Sequence, residues 1–168
     1  MRESPENTRA AFSTADLYDK FEDRCCSCDT QLTQYGGRRE FSGQIRTVKC
    51  LGDNTLLRQV LEMPSEGEVL VVDGSGYLGS ALIGDVIAGL GAKSGWSGII
   101  VFGAIRDVRA LRGVDFGVKA LGSNPKKSAK RGAGQTDIIV SFGGISFTPG
   151  QWIYSDDDGI LVSSGKLI

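Results

Sequence analysis

The clearest alternation of apolar and polar positions lies in the middle of the chain. Val69-Leu70-Val71-Val72 is a short β-branched run that stops at Asp73, and it predicts a buried strand. Gly74-Ser75-Gly76-Tyr77-Leu78-Gly79-Ser80 follows as a glycine-rich turn. From Ser80 onward Leu82, Val86 and Leu90, joined by Ile83 and Ile87, recur at helical spacing, so the turn is expected to open a helix that Gly91 closes. Trp96-Ser97 then leads into a second buried strand, Gly98–Ile105, which ends at Arg106-Asp107 before a short helical turn through Leu111.

The flanks are less regular. Ser13-Thr14-Ala15-Asp16 reads as a capping signal, with Leu17, Tyr18 and Phe21 on one face of a short helix, Thr14–Phe21. Residues 24–43 hold Cys25, Cys26, Cys28, Gly36-Gly37 and Arg38-Arg39 without period, which predicts an extended loop or irregular strands. Residues 47–50 alternate as a half-exposed strand, and Asn54 is expected to cap a helix carrying Leu57, Val60 and Leu61, with Pro64 just past its end. Further strands are expected at 137–142, 151–154 and 159–162, separated by Gly143-Gly144, Pro149-Gly150 and Asp156-Asp157-Asp158-Gly159. No linker divides the chain, so residues 1–168 form one mixed α/β domain, of which 1–12 look like a frayed terminus.

Composition narrows the chemistry. At 168 residues the chain can bury roughly two thirds of its unfolded surface. Its 19 Lys+Arg balance 20 Asp+Glu, so no global charge drives nucleic-acid binding, and direct binding of that kind is not expected. Histidine is absent, which removes Ser-His and Cys-His dyads, His-ligated zinc and imidazole bases together. No apolar run approaches the roughly 18 residues of a membrane span, and no secretory signal opens the chain, so the expected location is the cytoplasm. Three clustered cysteines plus Cys50 lack zinc-finger spacing and read as reduced thiols.

Gly74-x-Gly76-x-x-Gly79 has dinucleotide spacing. A Rossmann unit, however, places an acid about 20 residues further on, and here the next strand ends in Arg-Asp nearer thirty away. A different constellation is better supported. Asp85 is expected within the helix that begins at the glycine loop, and Arg106-Asp107 close the next strand, so a shared sheet edge can collect them. A guanidinium fork grips a carboxylate, loop amides share it, and an Asp holds Mg2+ or Mn2+, which together suit a small oxoacid. The same residues are also what a solvated ion pair at a strand end looks like. Lys119, Lys126, Lys127, Lys130 and Arg131 lie in an acid-free stretch that reads as a solvated loop, with an anion-facing patch as the rarer option. Lys93 and Lys119 are the nearest candidates for a Schiff base, and neither falls at the converging strand ends. Trp96 and Trp152 read as core or subunit-interface aromatics.

Val71-Val72-Asp73-Gly74, the run from Gly98 to Val108, Gly117-Val118-Lys119-Ala120 and Asp158-Gly159-Ile160-Leu161-Val162 together resemble the family of "regulator of ribonuclease E activity A" proteins. That family also contains the metal-dependent 4-hydroxy-4-methyl-2-oxoglutarate/4-carboxy-4-hydroxy-2-oxoadipate aldolases. The most specific shared element is an Asp, 20 intervening residues, then Arg-Asp, kept here by Asp85, Arg106 and Asp107. The resemblance implies a β/β/α sandwich like the phosphohistidine swivelling domain, assembled as a homotrimer with sites between subunits. It implies that Arg106 and the loop of Gly76, Tyr77, Leu78 and Gly79 bind the pyruvoyl carboxylate. Asp107 would ligate a divalent cation, Mg2+ or Mn2+, and Asp85 would orient the water that serves as acid or base. The implied activity is a lyase acting through pyruvate enolate, by retro-aldol cleavage or oxaloacetate decarboxylation. The alternative is a non-enzymatic regulator of a ribonuclease or RNA-helicase partner. The aldolases extend past the last strand and bring an acid from a neighbouring subunit, whereas this sequence ends at Ile168; Asp156, Asp157 or Asp158 are the available substitutes.

Overall fold

The computed structural model describes residues 11–168. The expected frayed terminus therefore falls mostly outside the described residues, although Phe12 is placed, its ring packed edge-on against Tyr154 at 5.7 Å. Four parallel strands carry the fold. They are β3 (Phe41–Lys49), β4 (Val69–Asp73), β6 (Gly98–Ile105) and β7 (Gly117–Ser123), paired in that order.

Alternation along these strands explains both faces. In β4, Leu70 and Val72 point to one cluster while Val69 and Val71 point to another, and Ile99 and Ile100 of β6 divide in the same way. On the first face lie α2 (Thr55–Glu62), α3 (Asp85–Lys93) and the short α4 (Val108–Leu111), which contribute Leu57, Leu61, Ile87, Ala88 and Leu111 to the core. The second face is covered by the hairpin of β9 (Val140–Phe142) and β10 (Ile145–Phe147). It also receives Ile153 of β11 (Trp152–Ser155) and Ile160 and Val162 of β12 (Ile160–Ser163). β11 joins β3 antiparallel, and β12 and β1 (Cys25–Ser27) extend that side. The far edge is closed by β2 (Thr33–Gln34) on β7, and the small β8 (Gln135–Thr136) pairs with β3. Gly98 and Gly117 sit side by side because the Phe41 ring occupies the space their side chains would fill.

Several expectations hold to the residue: α1 (Thr14–Phe21), β4 running on into Asp73, β6, and a helical turn through Leu111. Three need correction. The glycine loop does not open a helix. It runs into a third short strand, β5 (Ala81–Ile83), wholly buried and paired with the end of β6, and α3 begins only at Asp85. Its buried face is Ile87, Ala88 and Gly91 rather than Val86, which is exposed, and it ends at Lys93 instead of at Gly91. Second, Asn54 occupies the cap position of α2 but makes no side-chain cap; Asp53 Oδ1 accepts from the Thr55 amide at 3.0 Å instead. Third, residues 117–123 form β7, so Lys119 lies in a strand and is buried, not in a solvated loop. Trp96 is core, with its Nε1–H donating to the Met63 carbonyl, while Trp152 is half-buried beneath the Lys166 ammonium.

Candidate functional site

The carboxyl ends of β4, β5, β6 and β7 meet at one rim, the place where parallel sheets of this kind expose backbone and loops to ligands. The Arg106 amide donates to the Ile83 carbonyl at 2.9 Å, and the Asn124 amide donates to the Ile105 carbonyl at 3.0 Å. Asp107, two residues beyond the end of β6, adopts a left-handed backbone, φ 61° and ψ 42°. A non-glycine residue gives up about 1–2 kcal/mol to sit there, so the surrounding contacts must hold it. Asp107 Oδ2 accepts from the Asp85 amide at 3.2 Å and lies 4.0 Å from Arg106 Nε. A Cβ on Gly84 would come within 2.2 Å of that same oxygen, so a larger residue there would displace the carboxylate. Asp85, Arg106 and Asp107 are thus brought to one spot, and the Arg106 and Asp107 side chains remain 43% and 40% exposed.

The anion-binding end of a helix is present, but displaced from where the sequence pattern put it. The first helical bond of α3 is Ala88 N–H to the Gly84 carbonyl, so the amides of Val86 and Ile87 project from its amino end beside Arg106-Asp107. In the glycine loop the Ser75 amide is bound by Asp73 Oδ1, the Gly76 amide by the Phe102 carbonyl and the Tyr77 amide by the Gly74 carbonyl. Among the described residues, the Leu78 and Gly79 amides donate to no protein group. The loop therefore lacks the strand–loop–helix geometry of a dinucleotide grip, and two of its amides are open. Tyr77 and Leu78 are exposed beside them.

The segment after β7 lies across this rim as a strap. Ala81 N–H donates to the Lys126 carbonyl at 2.7 Å, Ser128 Oγ donates to the Ala81 carbonyl at 2.6 Å, and Asn124 Nδ2 donates to the Leu78 carbonyl at 2.8 Å. Asp53 anchors its far end by accepting from the Arg131 and Ala133 amides. Burial pushes the Asp53 carboxyl up, but the N–H donors from Thr55, Arg131 and Ala133 outweigh it and hold it below the usual carboxylate range. Lys126, Lys127, Lys130 and Arg131 are exposed, as expected, but on a fixed backbone.

The acidic turn lies at the other end of the sheet. Ser155 pairs with Phe41, the first residue of β3, so residues 156–158 sit at the amino edge of the parallel strands. Asp156 is already engaged, accepting from Thr14 N at 2.7 Å and Thr14 Oγ1 at 2.6 Å, and Asp157 pairs with Arg39. Lys119 Nζ donates to the Asp156 and Gly159 carbonyls. A wide groove of about 1020 Å3 also opens at this edge, lined by Arg38, Glu40, Glu66, Glu68, Trp152 and Lys166. Its Arg38 is committed to the Ser97 carbonyl and to Asp115, so the groove lacks a free guanidinium fork for an oxoacid. The four cysteines are free thiols, and burial pushes Cys50 up to about 12.

Residues 14–162 match the model of the RraA-like family, described as Aldolase/RraA. The chain belongs to the RraA-like family. A solved protein from Geobacillus kaustophilus HTA426, named S-adenosylmethionine: 2-dimethylmenaquinone methyltransferase, is 42% identical, with TM-score 0.91, 93% of this chain and 97% of that chain covered. The RNA-processing inhibitor RraA from Thermus thermophilis is 39% identical, with TM-score 0.88 and coverage of 92% and 93%. RraAS2 of Streptomyces coelicolor, an unusual member of the RNase ES inhibitor RraA protein family, is 27% identical, with TM-score 0.73 and coverage of 90% and 79%. RraA-like proteins include both aldolases and RNase E inhibitors. No helix among the described residues is long and apolar enough to cross a membrane.

Proposed function

We propose that this RraA-like protein is a divalent-metal-dependent carbon–carbon lyase that acts on small oxoacids through pyruvate enolate. The observation that carries the reading is Asp107: a carboxylate in a left-handed backbone conformation, in the gap left by Gly84, joined to the Asp85 amide and flanked by the Arg106 guanidinium. Strain of this kind at a strand end points to a functional group. The donor set fits a hard cation that keeps most of its waters, since Asp107 offers one half-exposed carboxylate and the chain has no imidazole. Asp107 would hold Mg2+ or Mn2+, whose chemistry there is to polarise a keto oxygen and favour the enolate.

The chain's own residues then divide the work. Arg106 grips the pyruvoyl carboxylate in two places, and the Val86 and Ile87 amides share its charge with those of Leu78 and Gly79 in the Gly76–Gly79 loop. A water oriented by Asp85 takes the proton from the hydroxyl of a 4-hydroxy-2-oxoacid. The C–C bond then breaks toward the carbonyl side, and the proton returns to the methylene carbon of the enolate to give pyruvate. With oxaloacetate the leaving fragment is CO2. The site is shallow, so a neighbouring subunit is needed to exclude water, and a homotrimer with sites between subunits supplies one. The layering of helices, parallel strands and a second β layer also supports kinship with phosphohistidine swivelling domains. The cytoplasm is the setting we assign.

The test is pyruvate release from oxaloacetate and from 4-hydroxy-4-methyl-2-oxoglutarate with Mg2+, stopped by chelator. Replacing Arg106 with Lys keeps the charge but loses the fork, and should raise KM more than it lowers kcat. No release above metal in buffer contradicts the reading. The second reading, a regulator that binds a ribonuclease or RNA-helicase partner, is favoured by the 39% identity to the Thermus inhibitor. It predicts partner binding that survives loss of Asp107.

A further inference from the structure

Asn124 is the first residue after β7, and it touches three of the pieces that build the rim. Its backbone amide donates to the Ile105 carbonyl at 3.0 Å, directly before Arg106. Its Nδ2 donates to the Leu78 carbonyl at 2.8 Å. Its Oδ1 accepts from the Lys126 amide at 2.9 Å, and the Lys126 carbonyl in turn receives the Ala81 amide of β5 at 2.7 Å. The next carbonyl along, Pro125 O, lies 3.4 Å from an Arg106 guanidinium nitrogen.

These bonds have a geometric consequence. Leu78 C=O and Gly79 N–H belong to one peptide plane, and in a trans peptide they point in opposite directions. Fixing the carbonyl on Asn124 therefore fixes the direction of the open Gly79 amide. The strap bond to Lys126 fixes the Pro125 carbonyl on which Arg106 rests. We infer that Asn124 is a positioning residue for oxoacid binding: it orients the Leu78–Gly79 peptide and the Arg106 rest together, without itself touching substrate. Asp107 is held from the other side, by Asp85 and Gly84, so the metal position does not depend on Asn124.

The inference rests on the proposed lyase reading, and the measurement separates the two. Oxalate, a planar dianion shaped like pyruvate enolate, is titrated calorimetrically into wild type, Asn124→Ala and Asn124→Asp in the presence of Mn2+. Mn2+ alone is titrated in parallel. Ala removes both side-chain bonds without adding charge; Asp keeps the acceptor for Lys126 and loses only the donor to Leu78. Asn124→Asp should bind oxalate about tenfold more weakly, the effect of losing one well-placed hydrogen bond, and Asn124→Ala, which loses two, at least as weakly. Mn2+ affinity should stay within about twofold, because its ligand is anchored elsewhere.

Wild type that binds neither Mn2+ nor oxalate removes the lyase reading and this inference with it. Wild type that binds both, with variants that match it, removes only the role of Asn124. Weakening confined to Asn124→Asp is charge repulsion, and equal weakening of Mn2+ and oxalate, or loss of a cooperative thermal transition, marks a merely structural residue; each overturns the inference.

Discussion

The two ends of the parallel sheet are built on opposite terms. At the amino edge, Asp156, Thr14 and Lys119 satisfy one another: two bonds from Thr14 to the carboxylate, an Asp158 amide on the same group, and a buried ammonium on two carbonyls of the turn. At the carboxyl edge, Asp107 is strained and half exposed, Leu78 and Gly79 leave amides open, and Arg106 makes long contacts to the Pro125 carbonyl and to Asp107. Saturated polar groups stabilise a fold, whereas unsaturated ones held in place are available to a ligand. The proposed chemistry therefore belongs to the carboxyl edge, and stability to the acidic turn.

That division can be broken by mutation. The largest expected effect is Asp107→Asn, which tolerates the left-handed backbone but loses the anionic ligand. Pyruvate-forming turnover should fall about a thousandfold, while thermal stability stays within about 0.5 kcal/mol of wild type. Next is Asp156→Ala, which strands the Thr14 and Asp158 donors. It should cost about 3 kcal/mol in denaturant unfolding and leave the rate per folded molecule unchanged.

Acid titration sharpens the same contrast. Burial pushes the Asp156 carboxyl up, but the Thr14 and backbone donors prevail and hold it below its ordinary value of 3.8. Because the folded pKa is lowered, the unfolded chain takes up its proton first as pH falls. The stabilisation is complete above about pH 4 and is lost below it, and Asp156→Asn should flatten that part of the curve. The smallest effect is Lys119→Met, which fills the same space but leaves two turn carbonyls unpaired. It should cost about 2 kcal/mol with no change in KM.

What could be read from the sequence follows the same physics. β4 and β6 are buried on both faces, so Val69–Asp73 and Gly98–Ile105 appear as continuous apolar runs with sharp ends, and the Arg106-Asp107 step was visible for that reason. β5 was hidden because Leu82 shares a helical period with Val86 and Leu90, although the segment is buried and pairs with β6. That overlap moved the expected amino end of the helix from Gly84-Asp85 back to Ser80. An apolar triplet closed by Gly-Asp, a cap followed by an acid in the first turn, was the signal that locates it. β7 was missed because Lys119 reads as a surface cation; its burial depends on carbonyls nearly 40 residues away, which no local pattern reports. Asn124 and the strap were unreadable for the same reason, since their partners come from β5, β6 and the glycine loop.

The central claim is that the carboxyl edge stabilises pyruvate enolate. An enzyme that does so for a larger oxoacid must also do so when offered pyruvate alone. Proton NMR of pyruvate in D2O with the protein and Mg2+ or Mn2+ tests this directly. The methyl signal should decay as deuterium replaces hydrogen, and chelator or Asp107→Ala should abolish the decay, whereas Cys28→Ser should leave it unchanged. Exchange no faster than metal in buffer would contradict the account and leave a binding protein in its place.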